Sequence, residues 1–221
     1  MENYIICGIH TDSGKSILSV LMYQFLKEKT KKTPIIVKPI QTGHPVDTEF
    51  YLNMNINEQD IDNIYTFREA ISPHLACKLE GKIIDYKFLL DSCKKLLKNQ
   101  TRPIIFELAG GIYSPINDQK YMIDLMEDLS IPGILVINDY VGSINHALLT
   151  LEAIKQRQIN IKGIIFNESQ ENSTCSNQVF KDIIKKTSFP KLGEVPFINN
   201  INDYLSNENN RKNIIKEWGR K

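Results

Sequence analysis

The sequence predicts an α/β fold with three layers: a mostly parallel sheet covered by helices on both faces. Two observations carry this. Short apolar runs recur along the chain as continuous blocks rather than in alternation with polar residues, which suits strands buried on both sides. Segments with apolar residues at helical spacing lie between them, and strands alternating with helices imply parallel pairing.

The strand candidates are "YIIC" (4 to 7), "PIIVKPI" (34 to 40), "PIIFEL" (103 to 108), "GILVIND" (133 to 139), "IKGIIFN" (161 to 167) and "KLGEVPF" (191 to 197). Among the helices, "KSILSVLMYQFLKEK" puts Ile17, Leu21 and Phe25 on one face with Leu18 and Met22 beside it. "IDYKFLLDSCKKLLKN" and "SINHALLTLEAIKQRQ" share that period, and each ends in basic residues that complement a helix C-terminus. The polar stretch "NESQENSTCSNQ" (167 to 178) is expected to be a surface loop, and the tail "SNENNRKNIIKEWGRK" a peripheral helix. No internal repeat or low-complexity linker divides the chain, so residues 1–221 read as a single domain.

Composition narrows the function classes. Lys plus Arg number 27 against 26 Asp plus Glu, a net charge of +1, which argues against a nucleic-acid or membrane partner and makes any anion site local. Cys7, Cys77, Cys93 and Cys175 lack the spacing of a zinc or redox motif and read as small buried hydrophobes in a reducing compartment. With no signal-peptide pattern and no apolar run near the ~20 residues of a membrane span, a cytoplasmic protein is expected.

The chemistry gathers where ligands collect in a parallel sheet, at the C-terminal strand ends. "GIHTDSGKS" (8 to 16) joins the first strand to the first helix, but five residues separate Gly8 from Gly14 where the usual phosphate loop has four. A phosphate at that helix start would meet free N–H groups, with Lys15 as a mobile cation and the Ser16 hydroxyl available to Mg²⁺. The competing reading makes Gly14 a plain turn and Lys15 a solvated residue that opposes the helix dipole. Lys38, in "VKPIQTG", either points into the strand-end crevice or begins an exposed loop. Glu107, closing "PIIF", suits either a magnesium site or a lysine partner, and Gly110-Gly111 allow close backbone approach. Gly142-Ser143 open a further helix whose N–H groups face the same edge and can hold a carboxylate. Asn145 and His146 read as capping or packing residues before catalytic ones, and His74 as a satisfied, partly buried histidine. His10 and His44, in loops near the phosphate site, receive no role.

Taken in order, "GIHTDSGKS", "VKPIQTG", "VDTEFYL", "SPHLAC", "FELAGGIYSPI", "VGSINHALLT", "IIFNE" and "GEVPFI" resemble the dethiobiotin synthetases, ATP-dependent ligases of biotin synthesis within the phosphate-loop NTPase superfamily. That family's loop also has five residues between its first Gly and its Gly-Lys-Thr. The resemblance runs from residue 4 to about residue 198. It implies a phosphate-loop NTPase type of fold and an ATP site formed by Asp12, Ser13, Gly14, Lys15, Ser16 and Ile17. Asp47, Glu107, Leu108, Ala109, Gly110, Asn167, Glu168, Pro196, Phe197, Ile198 and Asp203 belong to that implied site as well. Asn167 would read the adenine, and Pro196 to Ile198 would border it. Mg²⁺ would be held by Ser16, Asp47 and Glu107. Lys15 and Lys38 would be catalytic, while Thr42, Gly142, Ser143, Ile144 and Asn145 would contact the substrate. Ser16 replaces the family's usual threonine, Ile9 and His10 its Thr-Asp pair, and Leu108 its first glycine after the acidic residue.

The implied reaction converts 7,8-diaminononanoate, CO₂ and ATP to dethiobiotin, ADP and phosphate, in a homodimer. A different class was also weighed: a partitioning ATPase that switches on DNA or membrane, which would be expected to carry a basic surface or a membrane-targeting helix. An amidotransferase-type cobyrinate synthase needs a further glutaminase domain that 221 residues cannot hold.

Overall fold

Adjacent residues of the inner strands enter different cores. In the computed structural model, which describes residues 2–43, 46–169 and 174–210, Ile5 faces one side of the sheet and Ile6 the other. Ile104 and Ile105, Leu135 and Val136, and Ile164 and Ile165 divide in the same way. Both faces are covered, so both sets of side chains must be apolar, and the strands read as unbroken apolar runs.

The strands are β1 (Tyr4–Gly8), β2 (Ile35–Thr42), β3 (Ile61–Phe67), β4 (Ile104–Gly111), β5 (Gly133–Asn138), β6 (Ile161–Asn167) and β7 (Lys191–Val195). They form one sheet in the order β3-β2-β4-β1-β5-β6-β7, with every pairing parallel. The helices are α1 (Lys15–Thr30), α2 (Val46–Asn53), α3 (Pro73–Leu79), α4 (Tyr86–Asn99), α5 (Met122–Leu129), α6 (Ser143–Gln156), α7 (Thr174–Lys186) and α8 (Ile201–Ser206). Leu18, Leu21 and Phe25 of α1, Tyr51 of α2 and Leu205 of α8 fill one core. Leu89 of α4, Leu125 of α5, Leu151 of α6 and Phe180 of α7 fill the other. This is the three-layer arrangement with helices on both faces expected from the sequence.

Several expectations change. The stretch 167–178 is not all loop: β6 includes Asn167, and α7 begins at Thr174. β3, α2, α3 and α8 carry no strong apolar period, whereas α5 has one, with Met122, Leu125, Met126 and Leu129 buried at helical spacing, that the sequence reading passed over. β3 is an edge strand paired only with β2, so Asp62, Asn63 and Thr66 are tolerated within it. The helix read from Ile84 starts at Tyr86, because the Asp85 side chain accepts the Phe88 N–H at 3.1 Å and caps it. Within the expected tail helix, residues 211–221 lie outside the described residues, as do His44 and the side chain of Cys175. Cys7, Cys77 and Cys93 are free and buried, and burial pushes the Cys7 thiol up to about 12, leaving it inert. Among the described residues no helix is long and apolar enough to cross a membrane.

Strand order fixes where a ligand can enter. From β1 the chain moves toward β2, whereas from β5 it moves the other way, to β6 and β7. The loops after the adjacent strands β1 and β5 therefore diverge, opening a crevice at their C-terminal ends. Because Phe106 is wholly buried in the sheet's centre, Phe106→Ala is expected to cost about 3–5 kcal/mol. Urea unfolding should show this as a lower midpoint at unchanged slope.

Candidate active site

The loop from Ile9 to Gly14 turns the chain from β1 into α1, and its shape depends on two glycines. Gly14 has φ +94°, and a Cβ there would fall 2.3 Å from Asn167 Nδ2. A Cβ on Gly8 would fall 2.0 Å from Ser13 Oγ, which donates to the His10 carbonyl at 3.1 Å. Lys15 folds back over the loop: its Nζ donates to the carbonyls of His10 at 2.8 Å and Thr11 at 2.7 Å. Two ammonium protons thus brace the loop, and the third remains for an anion. The plain-turn reading fails here, since Lys15 is buried rather than solvated.

Behind the loop lies a charged cluster. Lys38, also buried, points inward from β2, forms an ion pair with Asp47 Oδ2 and sits 3.3 Å from Glu107 Oε1. Ser16 Oγ lies 3.0 Å from Asp47 Oδ1 and 2.8 Å from Glu107 Oε1. Glu107 thus pairs with a lysine, as one of its two readings has it, and it also lies beside Ser16, which bridges to Asp47. Burial works against the charge of Lys38, but Glu107 and Asp47 prevail and raise its pKa. Burial likewise opposes the charge of Asp47, yet the Lys38 ammonium and bonds from Lys38, Ser16 and Gln41 hold it below the usual carboxylate range. Lys15 has no such close carboxylate, and burial lowers it to about 8 against the pull of Glu107.

Two cavities flank the loop. The smaller, about 410 Å³, brings together Lys15, Ser16, Lys38, Thr42, Asp47, Glu107, Ala109 and Gly110. The larger, about 1030 Å³, lies in the β1/β5 crevice and includes Asn138, Gly142, Ser143, Ile144, Asn167, Glu168, Pro196, Phe197 and Ile198. Asp12, Gly14 and Ile17 border both. The remaining predicted residues lie elsewhere. Ser13 is wholly buried beneath the loop, and the Leu108 side chain belongs to the core, leaving its backbone alone near the site. Asn145 is exposed on α6, and Asp203 lies in the first turn of α8, its N–H donating to Oδ1 of the capping Asn200 at 3.3 Å.

The donor set of Ser16, Asp47 and Glu107 is all hard oxygen, which suits Mg²⁺. Among the described residues no group of three or more His, Cys, Asp or Glu is built to hold a metal. Two carboxylates and a hydroxyl fit a cation that takes its other ligands from phosphate and water.

Sequence reasoning passed over three groups. His10 accepts the Asp12 N–H at Nδ1, 3.3 Å, so Nε2 carries the proton and donates to Asn138 Oδ1 at 3.0 Å, tying the loop to β5. Tyr51 and Ser19 both bond Glu107, the latter at 2.5 Å. Spacing carried a signal for these two: Tyr51 follows Asp47 by one helical turn, and Ser19 follows Ser16 by three residues. His146 is exposed, with Nδ1 bonded to the Tyr140 hydroxyl at 2.5 Å, which suits its packing reading.

The family model described as an AAA domain matches residues 2–204. The ATP-dependent dethiobiotin synthetase BioD of Clostridium acetobutylicum is 32% identical, aligning 98% of this chain with 91% of that protein. The enzyme of the same name from Halalkalibacterium halodurans is 32% identical over 100% of this chain and 95% of its own. The chain belongs to the ATP-dependent dethiobiotin synthetase family. Solved structures with a similar fold include the MinC:MinD cell division complex of Aquifex aeolicus, TM-score 0.65 at 13% identity over 100% of this chain and 95% of that one. The cell division ATPase MinD of Pyrococcus furiosus aligns with TM-score 0.60 at 13% identity, over 99% of this chain and 98% of its own. At such identities these likenesses establish the phosphate-loop NTPase type of fold and nothing about activity.

The depressed pKa of Lys15 predicts a pH dependence. Its charge is full below about 8 and is lost above it, whereas a bound phosphate would hold the proton. Affinity for a non-hydrolysable ATP analogue is expected to fall about tenfold between about pH 7 and about pH 9. Titration calorimetry across that range checks this, and a flat profile contradicts it. The sign for folding is opposite: Lys15 is depressed in the native state, so its contribution to stability increases with pH from about 8 toward its unfolded value near 10.5.

Proposed function

We propose that the protein is a dethiobiotin synthetase that carboxylates 7,8-diaminononanoate and closes the ureido ring at the expense of ATP. One observation carries this most directly: Lys38, held by Asp47 and Glu107, lines the same cavity as Lys15 and Ser16. A carbamate and a phosphoryl group would both be met there by fixed positive charge.

One amine of the substrate takes up CO₂ as a carbamate. A carbamate oxygen then attacks the γ-phosphorus of ATP, breaking its bond to ADP and forming a carbamic-phosphoric anhydride. The second amine attacks the carbamoyl carbon, phosphate leaves, and the five-membered urea closes. Negative charge moves among oxygens at every stage, so preorganised cations are the main source of catalysis. Lys15, crossing the loop, stabilises the β- and γ-phosphates, and Lys38 stabilises the carbamate and the transferred phosphoryl group. Ser16, Asp47 and Glu107 would hold Mg²⁺, which when bound neutralises phosphate charge. Asn167, with Pro196, Phe197 and Ile198, borders the base at the far end of the larger cavity.

Thr42 and the segment from Gly142 to Asn145 were both assigned to the substrate, yet Thr42 lines one cavity and Gly142, Ser143 and Ile144 line the other. A homodimer accommodates this, one subunit's α6 start completing the site of the next. Val141 and Leu149 beside that segment are exposed and apolar, as an interface would require. The whole of residues 1–221 would then act as a single ligase domain.

ADP release by the purified protein should require both bicarbonate and diaminononanoate; release that ignores either one rules out this reading. Lys38→Ala is expected to remove most turnover, by about a hundredfold or more, and full turnover would remove Lys38 from the mechanism. Val141→Asp with Leu149→Asp should convert dimer to monomer in light scattering.

A further inference from the structure

The two carboxylate oxygens of Glu107 meet different surroundings. Oε1 faces the smaller cavity, 2.8 Å from Ser16 Oγ, whose one proton it shares with Asp47, and 3.3 Å from Lys38 Nζ. Oε2 faces away, bonded by Ser19 Oγ at 2.5 Å and by the Tyr51 hydroxyl. Ser19 and Tyr51 are wholly buried, and neither lines either of the two cavities beside the loop. Ser19 has one hydroxyl proton for two acceptors, Glu107 and the Lys15 carbonyl at 2.9 Å. The charged and nearer carboxylate takes it. Two donors from two different helices therefore occupy one oxygen of an almost wholly buried carboxylate.

Magnesium and calcium ask different things of a carboxylate. Mg²⁺ demands near-octahedral geometry and few protein ligands, whereas Ca²⁺ accepts more oxygens and readily takes both from one carboxylate. With Oε2 held by Ser19 and Tyr51, Glu107 cannot turn both oxygens to one ion without breaking two buried hydrogen bonds. We infer that Tyr51 and Ser19 are positioning residues that restrict Glu107 to one-oxygen coordination and so favour Mg²⁺ over Ca²⁺. This rests on Glu107 being a cation ligand, as proposed above.

The test is competition for bound Mn²⁺, followed by electron paramagnetic resonance in the presence of a non-hydrolysable ATP analogue. Mg²⁺ and Ca²⁺ are titrated separately against the wild type, Tyr51→Phe, Ser19→Ala and the double variant. Groups that hydrogen-bond a metal ligand commonly change metal affinity by 10–100-fold. The double variant should accordingly shift the ratio of Ca²⁺ to Mg²⁺ competition toward Ca²⁺ by about tenfold, with smaller shifts in the single variants. Tyr51→Phe keeps the ring and loses only its hydroxyl, so it carries the test even if the double variant does not fold. Equal weakening of both competitors, or an unchanged ratio, overturns the inference and reduces the two residues to packing. Failure of the wild type to hold Mn²⁺ beside the analogue overturns the cation reading itself, and the clamp with it.

Discussion

Glu107 interrupts the apolar run of β4 with an almost wholly buried carboxylate, and a charge in such a place costs several kcal/mol unless it is met by hydrogen bonds and opposite charge. Four side chains from three elements meet it. Ser16 and Ser19 come from α1, Tyr51 from α2 and Lys38 from β2. Lys38 in turn holds Asp47, and Ser16 bonds that same residue. The start of α1, and with it the loop before it, is therefore located by charge compensation as well as apolar packing. Of the groups that satisfy this buried charge, Ser16 and Lys38 also line the smaller cavity, where the proposed function would put phosphate.

What the sequence made legible follows from where each signal was strong. Inner strands buried on two faces stand out as apolar blocks, and α1, α4 and α6 as periodic ones. β3 lies at an edge, and α2, α3 and α8 are helices of six to eight residues, too short for a period to emerge from noise, although the eight-residue α5 does show an apolar face. At the site, Lys15 and Ser16 were visible through the Gly-Lys-Ser between a strand and a helix, and Lys38 and Glu107 because polar residues closing apolar runs are conspicuous. Tyr51 and Ser19 were hidden because a hydroxyl inside a helix usually only packs or bonds its own backbone. His10 was noticed as a departure, but its bond to Asn138 spans 128 residues of chain, which no local pattern reports.

Fold and family are separate findings here. The likeness to MinD structures covers nearly the whole chain at 13% identity, as expected of an architecture that serves many activities. The 32% identity with dethiobiotin synthetases also covers nearly the whole chain and spans segments at both cavities. The balanced charge of +1 fits the second grouping better than a nucleic-acid switch. Where the chain departs from the family pattern, the structure supplies local reasons. His10 is tied to Asn138, and Leu108 turns its side chain into the core while keeping its backbone by the site.

The central place of β1 has a consequence for synthesis. β1 has no partner among its near neighbours in sequence: it lies between β4, about a hundred residues on, and β5, further still. Pairings so distant in sequence are slow to form. The loop that would grip phosphate is synthesised well before β4 and β5 and must wait for both before the strand ahead of it is fixed. Nucleotide can then stabilise the finished fold, but it has little to hold while β1 is still waiting for its partners.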